Sequence, residues 1–167
     1  MISPAAGPAR SPNNIMSYGR YFEEIEVGQE FRHWPGRTIN EYDDTLLSLL
    51  SMNQQPLHLD EHYSKGTQHG RRLVAGPAVI GIVIGMTQAD IGGRATETLD
   101  YSNVRHENPV FHGDTIYAES VIVEKQPLPE QRGVVVVDTK AVNHRKETVL
   151  TLRRRIVIPL RPRGGQA

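Results

Sequence analysis

Residues 73–86 read Leu-Val-Ala-Gly-Pro-Ala-Val-Ile-Gly-Ile-Val-Ile-Gly-Met, with no charged or strongly polar side chain among them. No other stretch constrains the fold as tightly. It is too short to span a bilayer, which takes about 20 apolar residues, and it is interrupted by Pro77 and by three glycines. Pro77 suits the first turn of a helix and Gly92-Gly93 suits its far end. The β-branched content argues for a strand, but length and flanking residues favour a helix. On a helix, Val79, Ile80, Ile82, Val83, Ile84 and Met86 occupy nearly every side, and a helix apolar all round must be wrapped by other structure. Gly81 and Gly85, four apart, leave a bare stripe on which a neighbouring backbone can approach closely.

The wrapping is legible downstream. Residues 95–105, 115–125, 133–143 and 148–158 are four strand-like runs of similar length. They are joined by Asn108-Pro109, Gly113-Asp114, a 127–133 loop and a polar 143–147 run. Helices followed by an antiparallel meander predict an α+β domain. A meander wrapped around one long buried helix is the arrangement called a hot dog. Upstream, residues 30–39 read as a strand broken at Pro35-Gly36. Asn40 then caps a helix, with Asp43 and Asp44 near its positive end and Leu46, Leu47, Leu49 and Leu50 as its apolar side. Pro56 keeps residues 53–56 in a loop, which places His58 outside any helix; Asp60 caps a short helix over 61–65. Residues 1–17 lack apolar periodicity and read as a disordered lead-in, 18–160 as one domain, and 161–167 as a flexible tail.

Charge and composition remove several functions. Lys plus Arg and Asp plus Glu each number 19, so no whole-chain field draws in nucleic acid or an anionic membrane. Cysteine is absent, which excludes disulfides and thiolate metal sites and fits a reducing, cytoplasmic setting. His58 and His62, four apart, have metal-ligand spacing, but the Pro56 turn and the Asp60 cap separate them, and no metal is expected.

The chemically informative stretch is Asn53-Gln54-Gln55-Pro56-Leu57-His58-Leu59-Asp60. Its Pro-x-His-x-Asp pattern is followed by Gly76-Pro77 at a helix start and by Pro109-Val-Phe-His-Gly-Asp-Thr115. These motifs, in this order over about residues 21–158, resemble the MaoC-like dehydratases, or hydratase 2 family. The resemblance implies a hot-dog protein, at least dimeric, that adds water to an enoyl-CoA thioester without metal or redox cofactor.

The same resemblance gives His58 the water proton, a task imidazole performs near neutral pH, and gives the Gly76 amide the thioester carbonyl. Gln55, Asp60, Ala75 and Pro77 are expected around the substrate, and Arg71 and Arg72, just before the buried helix, are placed to meet a CoA phosphate or a substrate carboxylate. Asp60 also reads as a helix cap and Gly76 as a plain backbone requirement. One departure matters: Asn53 stands where the hydratases carry an aspartate that shares the work on water. An amide orients water but accepts no proton. A branch with this asparagine is linked to branched or dicarboxylic substrates such as itaconyl-CoA. A hot-dog thioesterase and a non-catalytic acyl-CoA binder are the alternatives. Arg154 shares a strand face with Leu150, Leu152, Ile156 and Ile158 if alternation holds, but three consecutive arginines favour a solvated strand end.

Overall fold

In the computed structural model, residues 18–162 are described; the expected lead-in over 1–17 and the tail beyond 162 lie outside the described residues. Period-two burial builds the sheet. Strands β1 (Glu30–Arg32), β2 (Arg37–Thr38), β3 (Glu97–His106), β4 (Thr115–Leu128), β5 (Arg132–Asn143) and β6 (Thr148–Pro159) are antiparallel, in the order β1-β4-β5-β6-β3, with β2 also on β4. Over residues 115–123 of β4 and 150–156 of β6 buried and less buried residues alternate, so these stretches turn one face inward. The four long strands fall within three residues of the runs expected.

Four helices precede the meander: α1 (Glu41–Leu50), α2 (Pro56–Leu59), α3 (Glu61–Lys65) and α4 (Gly76–Thr87). The sheet packs on α4, whose Ala78, Val79 and Val83 are buried with Ile116, Ala118, Ala141, Leu150 and Leu152. Each fully buried Val or Ile contributes about 1.5–3 kcal/mol. A second cluster, Phe22, Ile25, Phe31, Ile91, Ile122, Val135, Val137, Ile156 and Ile158, closes the other end.

Several expectations change. The long helix is apolar all round but not enclosed: Pro77, Gly81 and Gly85 form an exposed stripe. A Cβ on Gly81 or Gly85 would meet nothing within 4 Å, so no backbone of this chain approaches there. Of the α1 leucines only Leu47 packs on the core; Leu46, Leu49 and Leu50 are 57%, 63% and 74% exposed. His58 lies within helical α2, not outside, because Pro56 takes the first helical position, where its fixed φ and missing N–H cost nothing. Arg154 is 2% exposed rather than solvated. Alternation persists through the arginine run, and the Arg154 guanidinium turns inward to donate to Thr87 Oγ1 at the end of α4 (2.9 Å). Burial there works against its charge. Arg161 is tied down, its N–H donating to Glu23 and its guanidinium pairing with Glu24. Among the described residues no helix is long and apolar enough to cross a membrane.

Candidate active site

The start of α4 is fixed by its neighbours. Val74 N–H donates to Val110 O (2.9 Å), and Leu73 bridges Phe111. Ala75, buried at the N-cap position, donates its N–H to Asp44 Oδ1 (2.8 Å). Asp44 Oδ2 accepts from His112 Nε2 (2.9 Å). The segment 109–115 thus serves as a clamp: Val110 and Phe111 hold the strand-like approach, His112 holds Asp44, and Asp114 closes the turn by accepting from Phe111 N–H and Arg145. Asp44 is fully buried, so its role as a loose partner of the α1 dipole is superseded.

Beyond the clamp, Ala78 and Val79 both donate to Ala75 O, and Pro77 has no N–H. Among the described residues the Gly76 N–H has no acceptor, which leaves it as the free amide at the positive end of a twelve-residue helix.

His58 is joined to the same segment. Its Nδ1 lies 2.9 Å from Leu73 O. A carbonyl only accepts, so Nδ1 carries the proton and Nε2 is left with a lone pair, as a general base requires. Leu73 N–H donates back to Leu57 O (3.2 Å), tying α2 to the approach to α4 from both sides. His58 is half-buried. Asn53 anchors the preceding loop: its N–H donates to Ser48 O (2.8 Å) and its Oδ1 accepts from Gln55 N–H (3.1 Å). Its Oδ1 is therefore engaged by the loop.

The remaining expected residues divide. Asp60 Oδ1 accepts from Tyr63 N–H (2.9 Å), the helix cap. Gln55 is exposed, and its carbonyl accepts from His58 N–H. Pro77 is exposed beside Gly76. Arg72 is committed to Glu41 and Glu61, which hold its guanidinium charged. Arg71 is exposed, its guanidinium 3.7 Å from the centre of the Phe111 ring. Arg154, tied to the far end of α4, is not with them.

Sequence reasoning passed over His106 and gave Asp44 only a helix-dipole role. A Cβ on Gly76 would sit 2.9 Å from His106 Nε2, so the last residue of β3 lies against Gly76. Its signal was slight, a histidine at a strand end far from the motif. A separate hydrogen-bonded chain runs from the half-buried Asp90 through the buried His33, Ser120 and Thr139. Asp90 Oδ2 accepts from His33 Nδ1 (2.8 Å), leaving Nε2 to accept from Ser120 (2.8 Å), with Thr139 2.9 Å beyond. Burial pushes His33 below the usual imidazole range, against the pull of Asp90.

Residues 23–144 match the MaoC like domain. The chain belongs to that family. The similarity extends to curated relatives. One is a mesaconyl-CoA hydratase of Cereibacter sphaeroides, 29% identical over 89% of this chain and 44% of that protein. Another is an (R)-specific enoyl-CoA hydratase of Rhodospirillum rubrum, 29% identical over 73% of this chain and 81% of that protein. Among solved structures, a Mycobacterium tuberculosis protein with a double hot-dog fold superposes with a TM-score of 0.77 at 23% identity. That alignment covers 89% of this chain and 47% of the other. The MaoC-like domain described here is thus one hot-dog unit, and it spans less than half of the mesaconyl-CoA hydratase it matches.

Proposed function

We propose that this MaoC-like domain adds water to, or removes it from, the α,β double bond of an enoyl-CoA thioester. The observation that carries the reading is the His58–Leu73 hydrogen bond, which frees Nε2 as a base on the segment that ends in the unpaired Gly76 amide. In the hydration direction His58 Nε2 takes a proton from water as the water oxygen bonds to the β-carbon. The π electrons move toward the thioester carbonyl, and the Gly76 N–H holds the enolate oxygen that forms. His58 then returns the proton to the α-carbon, so one water has been added. Asn53, whose Oδ1 is held by the loop, has its side-chain N–H groups left to orient that water.

The finer substrate reading is a branched or dicarboxylic enoyl-CoA of the itaconyl-CoA kind. It is supported by the similarity to a mesaconyl-CoA hydratase and by Arg71, an exposed cation near the α4 start. We place the activity in the cytoplasm, which a chain without cysteine fits. Gln55, Asp60, Ala75 and Pro77 shape the surroundings through backbone geometry, while Arg72 is held by two glutamates.

A homodimer completes the unit. The β3 edge is exposed along almost its whole length, with Leu99, Tyr101 and Val104 uncovered, and long open edges invite pairing. The Pro77–Gly81–Gly85 stripe is equally open. Two copies would supply the extent of the double hot-dog neighbour, and light scattering that returns a monomer with full activity would refute the dimer. For the reaction, a panel of straight, branched and carboxylated enoyl-CoAs is decisive. Loss of enoyl absorbance supports hydration, release of free thiol would instead indicate a thioesterase, and binding with neither would indicate a carrier. The carrier reading draws on Asn53, which leaves the site one proton acceptor fewer.

A further inference from the structure

His106 is placed to act on the same oxygen as the Gly76 amide. It ends β3 paired with Leu150, which is fully buried; opposed residues share a face of the sheet, here the one turned toward α4, and at this strand end the His106 side chain is exposed. On Gly76 a Cβ would lie 2.9 Å from His106 Nε2, closer than real Cβ contacts, and 3.1 Å from Cε1, so a side chain there would push the ring aside. Only glycine at this position lets the ring settle where it is. Among the described residues the His106 ring has no hydrogen-bond partner, although the other imidazoles near the α4 start, His58 and His112, are both engaged.

The distances permit a shared ligand. A Cβ stands about 2.5 Å from its own backbone nitrogen, so His106 Nε2 lies at most about 5.4 Å from Gly76 N. Two hydrogen bonds of about 2.9 Å each span that separation through one oxygen atom. We infer that His106 Nε2–H is a second donor to the thioester oxygen held by the Gly76 N–H, making His106 a catalytic residue beside His58. The inference rests on the assignment of Gly76 given above. No proton is transferred: the developing negative charge on the oxygen is shared between a backbone donor and an imidazole donor. His58 needs Nε2 unprotonated and His106 needs it protonated. The Leu73 carbonyl enforces the first, and the thioester oxygen, as an acceptor, selects the second.

The test uses butyryl-CoA carrying carbon-13 at the thioester carbonyl, a saturated ligand to which water cannot add. The carbonyl stretch is recorded with wild type, His106→Phe, His106→Leu and His106→Gln, and turnover of an enoyl-CoA is measured alongside. The expected result is a lowered stretch on wild type, a smaller lowering on the Phe and Leu variants, and near wild-type behaviour with Gln, which keeps an N–H donor. Turnover should fall about 10²–10³-fold in Phe and Leu with KM little changed and folding midpoints unaltered. The inference is overturned if Phe and Leu match wild type, or if wild type neither binds nor polarises the carbonyl. It is also overturned if Gln fails as badly as Leu with a lowered folding midpoint. A His106-dependent stretch without any enoyl-CoA turnover would sink the hydratase reading alone. Full turnover in the Phe and Leu variants would sink this inference alone.

Discussion

Replacing Asp44 by alanine should cost about 3–5 kcal/mol, the range for removing one partner of a buried, hydrogen-bonded carboxylate pair. The carboxylate has no exposure and makes two bonds, to Ala75 N–H at 2.8 Å and to His112 Nε2 at 2.9 Å. Its removal strands a buried amide, which by itself costs about 1–3 kcal/mol because water cannot reach it. Ala75 is 2% exposed and admits no solvent in compensation. The imidazole, partly open, recovers some hydration, and the void left in the core adds the rest. For a domain of this size each kcal/mol moves the thermal midpoint by about 2–4 °C, so a fall of roughly 6–20 °C follows. Asp44→Asn keeps an acceptor for Ala75 and should lose about half as much. Urea unfolding, read by circular dichroism with the slope checked against wild type, measures both variants. Because Ala75 precedes the Gly76 amide proposed to hold the thioester oxygen, turnover per folded molecule should fall as well. An Asp44→Ala protein within about 1 kcal/mol of wild type would refute the claim that the 109–115 segment clamps the start of α4 through this carboxylate.

Two further outcomes follow from the same geometry. Burial holds His33 neutral, below the usual imidazole range, so the unfolded chain takes up that proton first; the stabilisation is full above about pH 6.5 and is lost as pH falls toward the lowered value. Urea midpoints of wild type should therefore drop between pH 7.5 and 5.5, and those of His33→Gln should drop less; parallel slopes would contradict this. Asn53→Ala should slow hydration less than loss of His58 does, while Asn53→Asp should raise activity toward simple enoyl-CoAs by supplying an anionic partner. Inert wild type together with an active Asn53→Asp would make the natural protein a binder.

The parts of the fold written in local pattern were legible beforehand. The α4 run, the four meander strands, the Asn40 start of α1 and the Asp60 cap each follow from spacing and residue type. Features decided by tertiary contact were not. Arg154 sits in a run of three arginines that reads as solvated, and only its pairing with buried Val137 of β5 and its bond to Thr87 explain why it turns inward. Asp44 follows a cap and reads as a helix-dipole partner until the 109–115 segment is seen beside it. Of the residues proposed for the site, His58 and Gly76 come from motif order, whereas His106 comes from a strand end thirty residues beyond Gly76. The leucine face of α1 and the stripe on α4 looked like core because apolar composition does not say what covers it.

The most direct test of the account compares wild type with His58→Ala on an enoyl-CoA, following loss of enoyl absorbance in the presence of excess water. His58 is half-buried and makes one side-chain hydrogen bond, to Leu73 O, so the variant should keep its circular dichroism and lose only about 0.5–1.5 kcal/mol of stability. A general base is worth about 10²–10⁴-fold in rate, and turnover should fall by that amount. A folded His58→Ala protein that keeps more than about a tenth of wild-type turnover would contradict the assignment of His58 as the base.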